Sequence, residues 1–345
     1  MRNLLLMSLV VYMAIPSGAH SEAFVYNGMC DASAAVALDA SHFVVANDEQ
    51  FLVDDSKLDF LKVFEFGRPD AISGLALTQY LRNPEEDGEG KETDIEGAAR
   101  IANRIYWISS HGRNKHGKRE KSRLKFFATE IKGIEVELSP STPYDNLLKD
   151  MLADEKLKFL GLAEASGGFD DRGKAPKDEG GFNIEGLAAT PDGKLLIGFR
   201  NPQHEEGSIK KAIVVPLNNP AELVDKGRDK DRKAQFGIPV TLDLGGNGIR
   251  SIEWIDDHYV IVAGAYGNGG NYGLYGWSGN ATEKPTPIAA DLSDLSPEAV
   301  FQRPGSEALQ ILSDDGKRPI NGKDCNQLLQ DQQHFRAVEI GPILN

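Results

Sequence analysis

Three glutamates of this chain stand in closely similar settings: Glu96 in Asp94-Ile95-Glu96-Gly97, Glu185 in Asn183-Ile184-Glu185-Gly186, and Glu298 in Ser296-Pro297-Glu298-Ala299. Downstream of each lies an apolar run that ends in polar residues: Ser110-His111-Gly112-Arg113, then Arg200-Asn201, then Asp314-Asp315. Carboxylates gathered without cysteines or paired histidines favour a hard cation, Ca2+ over Zn2+. Brought near one axis, they raise one another's pKa values unless a cation compensates. Glu96, Glu185 and Glu298 are therefore the candidate metal ligands. A purely structural role, in which each pairs with a neighbouring strand's backbone, fits the same repetition. His111 titrates near neutral pH and is the candidate general acid or base. Arg200 joins it as a candidate catalytic residue, while Arg113, Asn201, Arg250, Asp314 and Asp315 are candidate ligand contacts, arginine being suited to bidentate oxyanion binding.

These residues are far apart in sequence, so a repeat has to bring them together. In Phe182 to Pro202, two apolar runs flank Pro191-Asp192-Gly193, the pattern of a β-hairpin. Thr93 to Asn114 aligns with that segment without a gap, and Cys30 to Glu49 fits the same frame with Ser33 at the glutamate position. Gly248 to Gly267 and Leu295 to Gly316 are looser copies. The Gly248 copy is aligned with Arg250-Ser251 in place of Ile-Glu. Each hairpin is followed by further apolar strands, which is the signature of a β-propeller. The expected fold is all-β, a single propeller over 24–345, most simply five-bladed. A sixth, degenerate blade in Asp70 to Leu81 or in the long insertion at about 133–181 is the alternative. That insertion is expected to hold one short helix, Tyr144 to Glu155, and a mobile tail, Gly167 to Gly181.

In the hairpin frame the start of the first strand and the end of the second share one mouth, which places the charged residues, with Asp48 from the first copy, around the channel. The chain has no nucleophile elbow, no H-E-x-x-H and no phosphate-binding G-x-x-x-x-G-K-[ST]. Gly267 to Gly273 reads as a turn between strands, and Asn280-Ala281-Thr282 is a glycosylation sequon by pattern only. The basic run Ser110 to Arg123 reads as an exposed loop, with His116 at the surface.

Residues 1–23 form a short basic start, an apolar run and small residues at Ala19 and Ala23, the pattern of a secretory signal peptide. The run is too short to span a bilayer, which takes about 20 residues, so a periplasmic or secreted, monomeric protein without a membrane span is expected. A net charge of −14 argues against general nucleic-acid binding. In an oxidising compartment Cys30 and Cys325 read as one disulfide, with two buried thiols as the alternative. If Ala23 to Tyr26 completes the last blade, the two cysteines become neighbours at the ring closure.

Asp94-Ile95-Glu96-Gly97, Trp107-Ile108, Ser110-His111-Gly112-Arg113-Asn114 and Asn183-Ile184-Glu185-Gly186-Leu187 together resemble the bacterial domain-of-unknown-function 3616 family of exported propeller-like proteins. Glu185-Gly186-Leu187-Ala188 followed by Pro191-Asp192-Gly193 more weakly resembles esterase-like phytase propellers. That likeness implies phosphoester or carboxylester chemistry. Joined to the glutamates as metal ligands and the arginines as anion contacts, the expectation is a divalent-metal-dependent hydrolase of a phosphate or other ester, with a small anionic substrate. A non-catalytic ligand- or protein-binding propeller is the competing expectation.

Overall fold

A computed structural model describes residues 22–341, apart from 54, 55, 59, 82–90, 228, 230 and 268. The expected signal peptide therefore lies, through residue 21, outside the described residues.

Local chemistry sets the hairpins. At the Pro191-Asp192-Gly193 turn, Gly193 takes φ +78°, a conformation that glycine adopts without a Cβ clash. Thr190 Oγ1 accepts from Lys194 N at 2.9 Å and donates to Asp192 Oδ1 at 2.6 Å. Strands Asn183–Ala189 and Leu195–Asn201 on either side are buried almost throughout, so they read as continuous apolar runs.

Five such hairpins head five antiparallel blades. Blade 1 comprises Ala32–Ala37, His42–Asn47, Phe60–Glu65 and Ser73–Ala76, and blade 2 comprises Ile95–Ile101, Arg104–Ser109, Phe126–Lys132 and Glu135–Leu138. Blade 3 holds Asn183–Ala189, Leu195–Asn201, Ile209–Leu217 and Val240–Leu242, with His204–Glu206 added at its edge. Blade 4 holds Gly248–Ile255, His258–Gly264, Gly273–Trp277 and Thr286–Ile288. Blade 5 runs Pro297–Gln302, Leu309–Ser313 and His334–Ile340, and its outer strand is the N-terminal Phe24–Asn27. The first strands pack against one another in cyclic order and line the axis. Five hydrophobic clusters fill the five interfaces between blades, for example Val44, Ile95, Trp107 and Phe127 between blades 1 and 2.

The ring closes as the sequence implies. Tyr26 stands opposite Phe335 in the shared sheet and stacks on it with 5.2 Å between ring centroids. Cys30 and Cys325 are disulfide-bonded, with Cα atoms 5.9 Å apart. Residues 70–81 are not a sixth blade: they give blade 1 its outer strand and a short helix, Thr78–Leu81. The insertion is more helical than expected, with Leu147–Ala153, a 3₁₀ segment Glu155–Leu160 and Leu162–Ser166. Leu147, Leu148 and Met151 pack with Phe126, Phe182 and Phe199 in the cluster between blades 2 and 3. A further helix, Pro220–Asp225, begins with proline after Asn219 and is too short to show a helical period. Among the described residues no helix is long and apolar enough to cross a membrane.

The disulfide ties residues 295 apart in sequence. Replacing both cysteines with serine is expected to lower the unfolding free energy by about 2–5 kcal/mol, read from urea denaturation. Unchanged midpoints would show that strand pairing alone holds the closure.

Candidate functional site

Every first strand carries a β-bulge at the same place. The register skips Ser33, Glu96, Glu185, Arg250 and Glu298, leaving each unpaired between two residues that keep partners on the second strand. A bulge re-aims its side chain and bends its strand; here Glu96, Glu185, Arg250 and Glu298 all line one cavity. The glycine after each of the first two glutamates lets the next blade come close. A Cβ on Gly97 would stand 3.0 Å from Leu187 Cβ, and one on Gly186 would stand 2.8 Å from Ile249 Cγ2. The Gly248 copy is therefore shifted by one residue from the sequence alignment. Arg250, not Ser251, occupies the glutamate position, while Ser251 Oγ accepts from Val300 N of blade 5. In blade 1 Ser33 takes the structural role, donating to Ile95 O of blade 2 at 2.6 Å.

The cavity measures about 1140 Å³ and opens at the mouth of the ring. Below the bulges the throat holds a separate pocket of only about 10 Å³, lined by residues that include Ala34, Ala98, Leu187, Ile252, Val300 and Glu253. On one side of the cavity the charges neutralise one another. Arg200 Nη1 donates to Glu185 Oε1 at 2.8 Å, Arg250 Nε lies 3.2 Å from Glu185 Oε2, and Arg250 Nη2 pairs with Glu298. Asn183 Nδ2 adds a bond to Glu185 Oε1 at 2.7 Å, and Arg200 also donates to Ala265 O and Gly267 O. Burial nevertheless pushes Glu298 up to about 8, against the pull of Arg250.

On the other side carboxylates outnumber their partners. Asp48, Asp94 and Glu96 place ligand oxygens within 4.8 Å of one another. Asp94 accepts from Arg123 Nη1 at 2.8 Å, but Arg123 is shared with Glu92. Glu96, only 7% exposed, has no hydrogen bond or ion pair among the described residues, and Asp48 Oδ1 is a buried atom with no partner among them. Burial drives all three upward. Asp94 reaches about 7, opposed by a Ser110 hydrogen bond and Lys177. Glu96 is raised well above the carboxylate range by burial and then by Glu185 and Asp94, and Asp48 by burial and then by Asp31 and Asp314. Asp31 is raised as well, by burial and then by the charge of Asp314.

The structure sorts the expected site residues. Glu96, Glu185, Glu298, Arg200, Arg250, Asp314 and Asp315 do share the cavity, yet Glu185 and Glu298 belong to the arginine network rather than to the group able to take a metal. Asp315 is held bidentate by Arg336, with Nε at 2.8 Å and Nη2 at 2.7 Å. His111 and Arg113 do not line the cavity. His111 sits at φ +53° with Nδ1 2.8 Å from Ser109 O, and burial lowers it to about 4. Arg113 turns into the insertion and donates to Ser166 O and Gly167 O. Asn201 lines a neighbouring pocket of about 370 Å³. In place of His111, His116 faces the cavity, together with exposed Lys115, Lys177, Lys317 and Arg318. Asp94 is the carboxylate that sequence reasoning passed over, while Asp48 is expected at the mouth from the first copy but without a metal role. Both sit in the repeat frame, one residue past a second strand and one before a first strand, so the repeat itself carried their signal.

A family model described as a protein of unknown function (DUF3616) matches residues 31–137 and 136–302. No curated protein matches the chain. Among solved structures, a Thermus thermophilus protein described as a glucose dehydrogenase is 12% identical at TM-score 0.41, over 92% of this chain and all of that one (100%). The PQQ-bound aldose sugar dehydrogenase of Streptomyces coelicolor is 11% identical at TM-score 0.39, over 92% and 98%. An α-L-arabinofuranosidase of Clostridium thermocellum is 8% identical at TM-score 0.36, over 81% and 80%. Likenesses this distant carry no argument about chemistry.

Arg250 is the ion-pair partner of Glu298, with Arg200 a weaker influence, so Arg250→Met is expected to lower stability by about 3–5 kcal/mol, the range for breaking a buried pair, as measured by chemical denaturation at neutral pH. Glu253 tests the throat separately, because burial holds it up to about 8 from 4.5. The stability that this raised pKa contributes is present below the unfolded value and is lost as pH rises through the folded one. Glu253→Gln should match the parent near pH 4 and gain on it steadily between about pH 5 and 9. Parallel pH–stability curves would refute the assignment.

Proposed function

In a chain that belongs to the DUF3616 family, we propose that the axial cavity holds a divalent cation at Asp48, Asp94 and Glu96 and hydrolyses an anionic ester, a phosphate ester foremost. The carrying observation is that three crowded carboxylates, set deep in the mouth of the ring, meet an incomplete set of positive partners. Such a group is stable only when protons or a cation neutralise it. All the donors are carboxylate oxygens, which favours Ca2+ or Mg2+.

A cation there supplies two things: it polarises an ester oxygen and it lowers the pKa of a bound water. The anionic part of the substrate faces the exposed cations of the rim, Lys115, Lys177, Lys317 and Arg318, rather than Arg200 and Arg250, which Glu185 and Glu298 already engage. His116 takes the proton-carrying role expected of His111, since it is the histidine of that loop that reaches the cavity. A binding site without turnover is the competing reading, and the internal pairing of both buried arginines favours it.

Calorimetry with Ca2+ and with Mg2+ tests the cation. Binding is expected for the parent and a loss of at least about tenfold for Glu96→Gln, with a gain near ~2.7 kcal/mol in stability at a hundredfold excess over Kd. A parent that takes up neither ion ends the cation-dependent reading. Turnover of p-nitrophenyl phosphate or p-nitrophenyl acetate that EDTA abolishes supports hydrolysis. Cation binding with no turnover across an ester panel leaves the binding reading in its place.

A further inference from the structure

The stretch 167–181, rich in glycine and charge and expected to be mobile, is instead tied down from both sides. From blade 2, Arg113, only 4% exposed, donates to Ser166 O at 2.8 Å, Gly167 O at 3.2 Å and Gly117 O at 3.3 Å. The backbone follows: Gly173 N donates to Gly117 O at 2.9 Å, and Lys118 bridges to Arg172. A Cβ on Gly173 would stand 2.6 Å from Arg113 Nε, so that position has no room for a side chain. From blade 3, Asn201, 1% exposed, donates through Nδ2 to Pro176 O at 2.9 Å and to Asp178 O at 2.7 Å. Asp178 Oδ2 closes the turn on Ala175 N at 3.0 Å.

The two carbonyls that Asn201 holds belong to the residues on either side of Lys177. Lys177 itself is exposed, lines the axial cavity, and has no hydrogen bond or ion pair among the described residues. Its charge is near enough to act on Asp94. A buried amide committed to two loop carbonyls resists loop opening, because breaking those bonds leaves a buried donor unsatisfied. The cation is thus presented from a fixed backbone, beside the carboxylate group and more exposed than it.

We propose that this strap is a fixed cover whose Lys177 binds the phosphate group of the ligand and so selects anionic ligands, with Asn201 acting as a positioning residue through Lys177. The proposal rests on the reading of the cavity as an anionic-ester site. It adds which residue recognises the anion and what holds that residue in place.

Inorganic phosphate is the probe, titrated by calorimetry into the full chain in the presence of Ca2+. Lys177→Ala is expected to weaken phosphate binding about tenfold or more, as for loss of a charge-assisted hydrogen bond. It should not weaken Ca2+ binding, since it removes a positive charge that acts on Asp94, while Lys177→Arg retains most of the phosphate binding at unchanged Ca2+ affinity. Asn201→Ala should weaken phosphate to a similar extent at unchanged Ca2+ affinity. The double variant should be no weaker than Lys177→Ala, the non-additivity expected of residues acting in series. A merely structural Asn201 would instead add its loss to that of Lys177 or shift the Ca2+ affinity. Phosphate binding by Lys177→Ala equal to the parent's, or no phosphate binding by the parent, overturns the proposal. Glu96→Gln separates the two readings, since it removes the cation site and leaves the strap intact. Lys177-dependent phosphate binding without any Ca2+ uptake would sink the cation and keep the strap.

Discussion

Closing five blades into a ring forces the first strands together at the axis, and the Glu-Gly pairs answer that constraint. The bulge turns one residue per blade out of the ladder, and at Gly97 and Gly186 the missing side chain lets the next blade's strand approach. Everything polar in the cavity follows from this. A bulged residue cannot bury its side chain in an interface between blades, so it must find partners at the axis. Ser33 finds backbone, Glu185, Arg250 and Glu298 find one another, and Glu96 finds neither among the described residues.

The asymmetry among the five positions is the source of the site. One arginine in a ring of carboxylates neutralises its two flanking blades, and Arg200 from a second strand strengthens the pair on blade 3. Blades 1 and 2 receive less help, from an Arg123 that Asp94 shares with Glu92. Asp48 enters from the end of a second strand and Asp94 from a left-handed residue at φ +57° just before a bulge. The cavity is thereby divided into a neutralised wall that supports the ring and a carboxylate wall with unmet charge. Buried ion pairs of the first kind add little net stability but are costly to break. Groups of the second kind persist where something else satisfies them.

Much of this is legible in the chain. The repeat of Glu96 and Glu185 within matching hairpins leads to five blades, to N-terminal closure by Phe24–Asn27 and to the Cys30–Cys325 bridge, because each follows from local pattern and connectivity. Two departures share an origin in irregular backbone. Alignment puts Arg250 one residue out because a bulge interrupts the two-residue period and this copy lacks the Glu-Gly pair that marks the same bulge in blades 2 and 3. His111 and Arg113 follow a second strand and so read as mouth residues, yet the backbone turns at His111 and sends both side chains away from the axis.

The same distinction separates what was written in the order of residues from what folding added. Apolar periodicity, turn chemistry and the repeated Glu-Gly pairs define blades and place a set of polar residues at one end of them, since these act over a few neighbouring residues. Which carboxylates become paired and which stay bare depends on side chains distant in sequence meeting at the mouth: Arg250 with Glu185 and Glu298, and Arg123 with Asp94. Charge compensation falls off with distance in space and is blind to distance along the chain. Only the closed ring therefore decided that Asp48, Asp94 and Glu96 form the incompletely compensated group, and that Asn201 holds the backbone on both sides of Lys177.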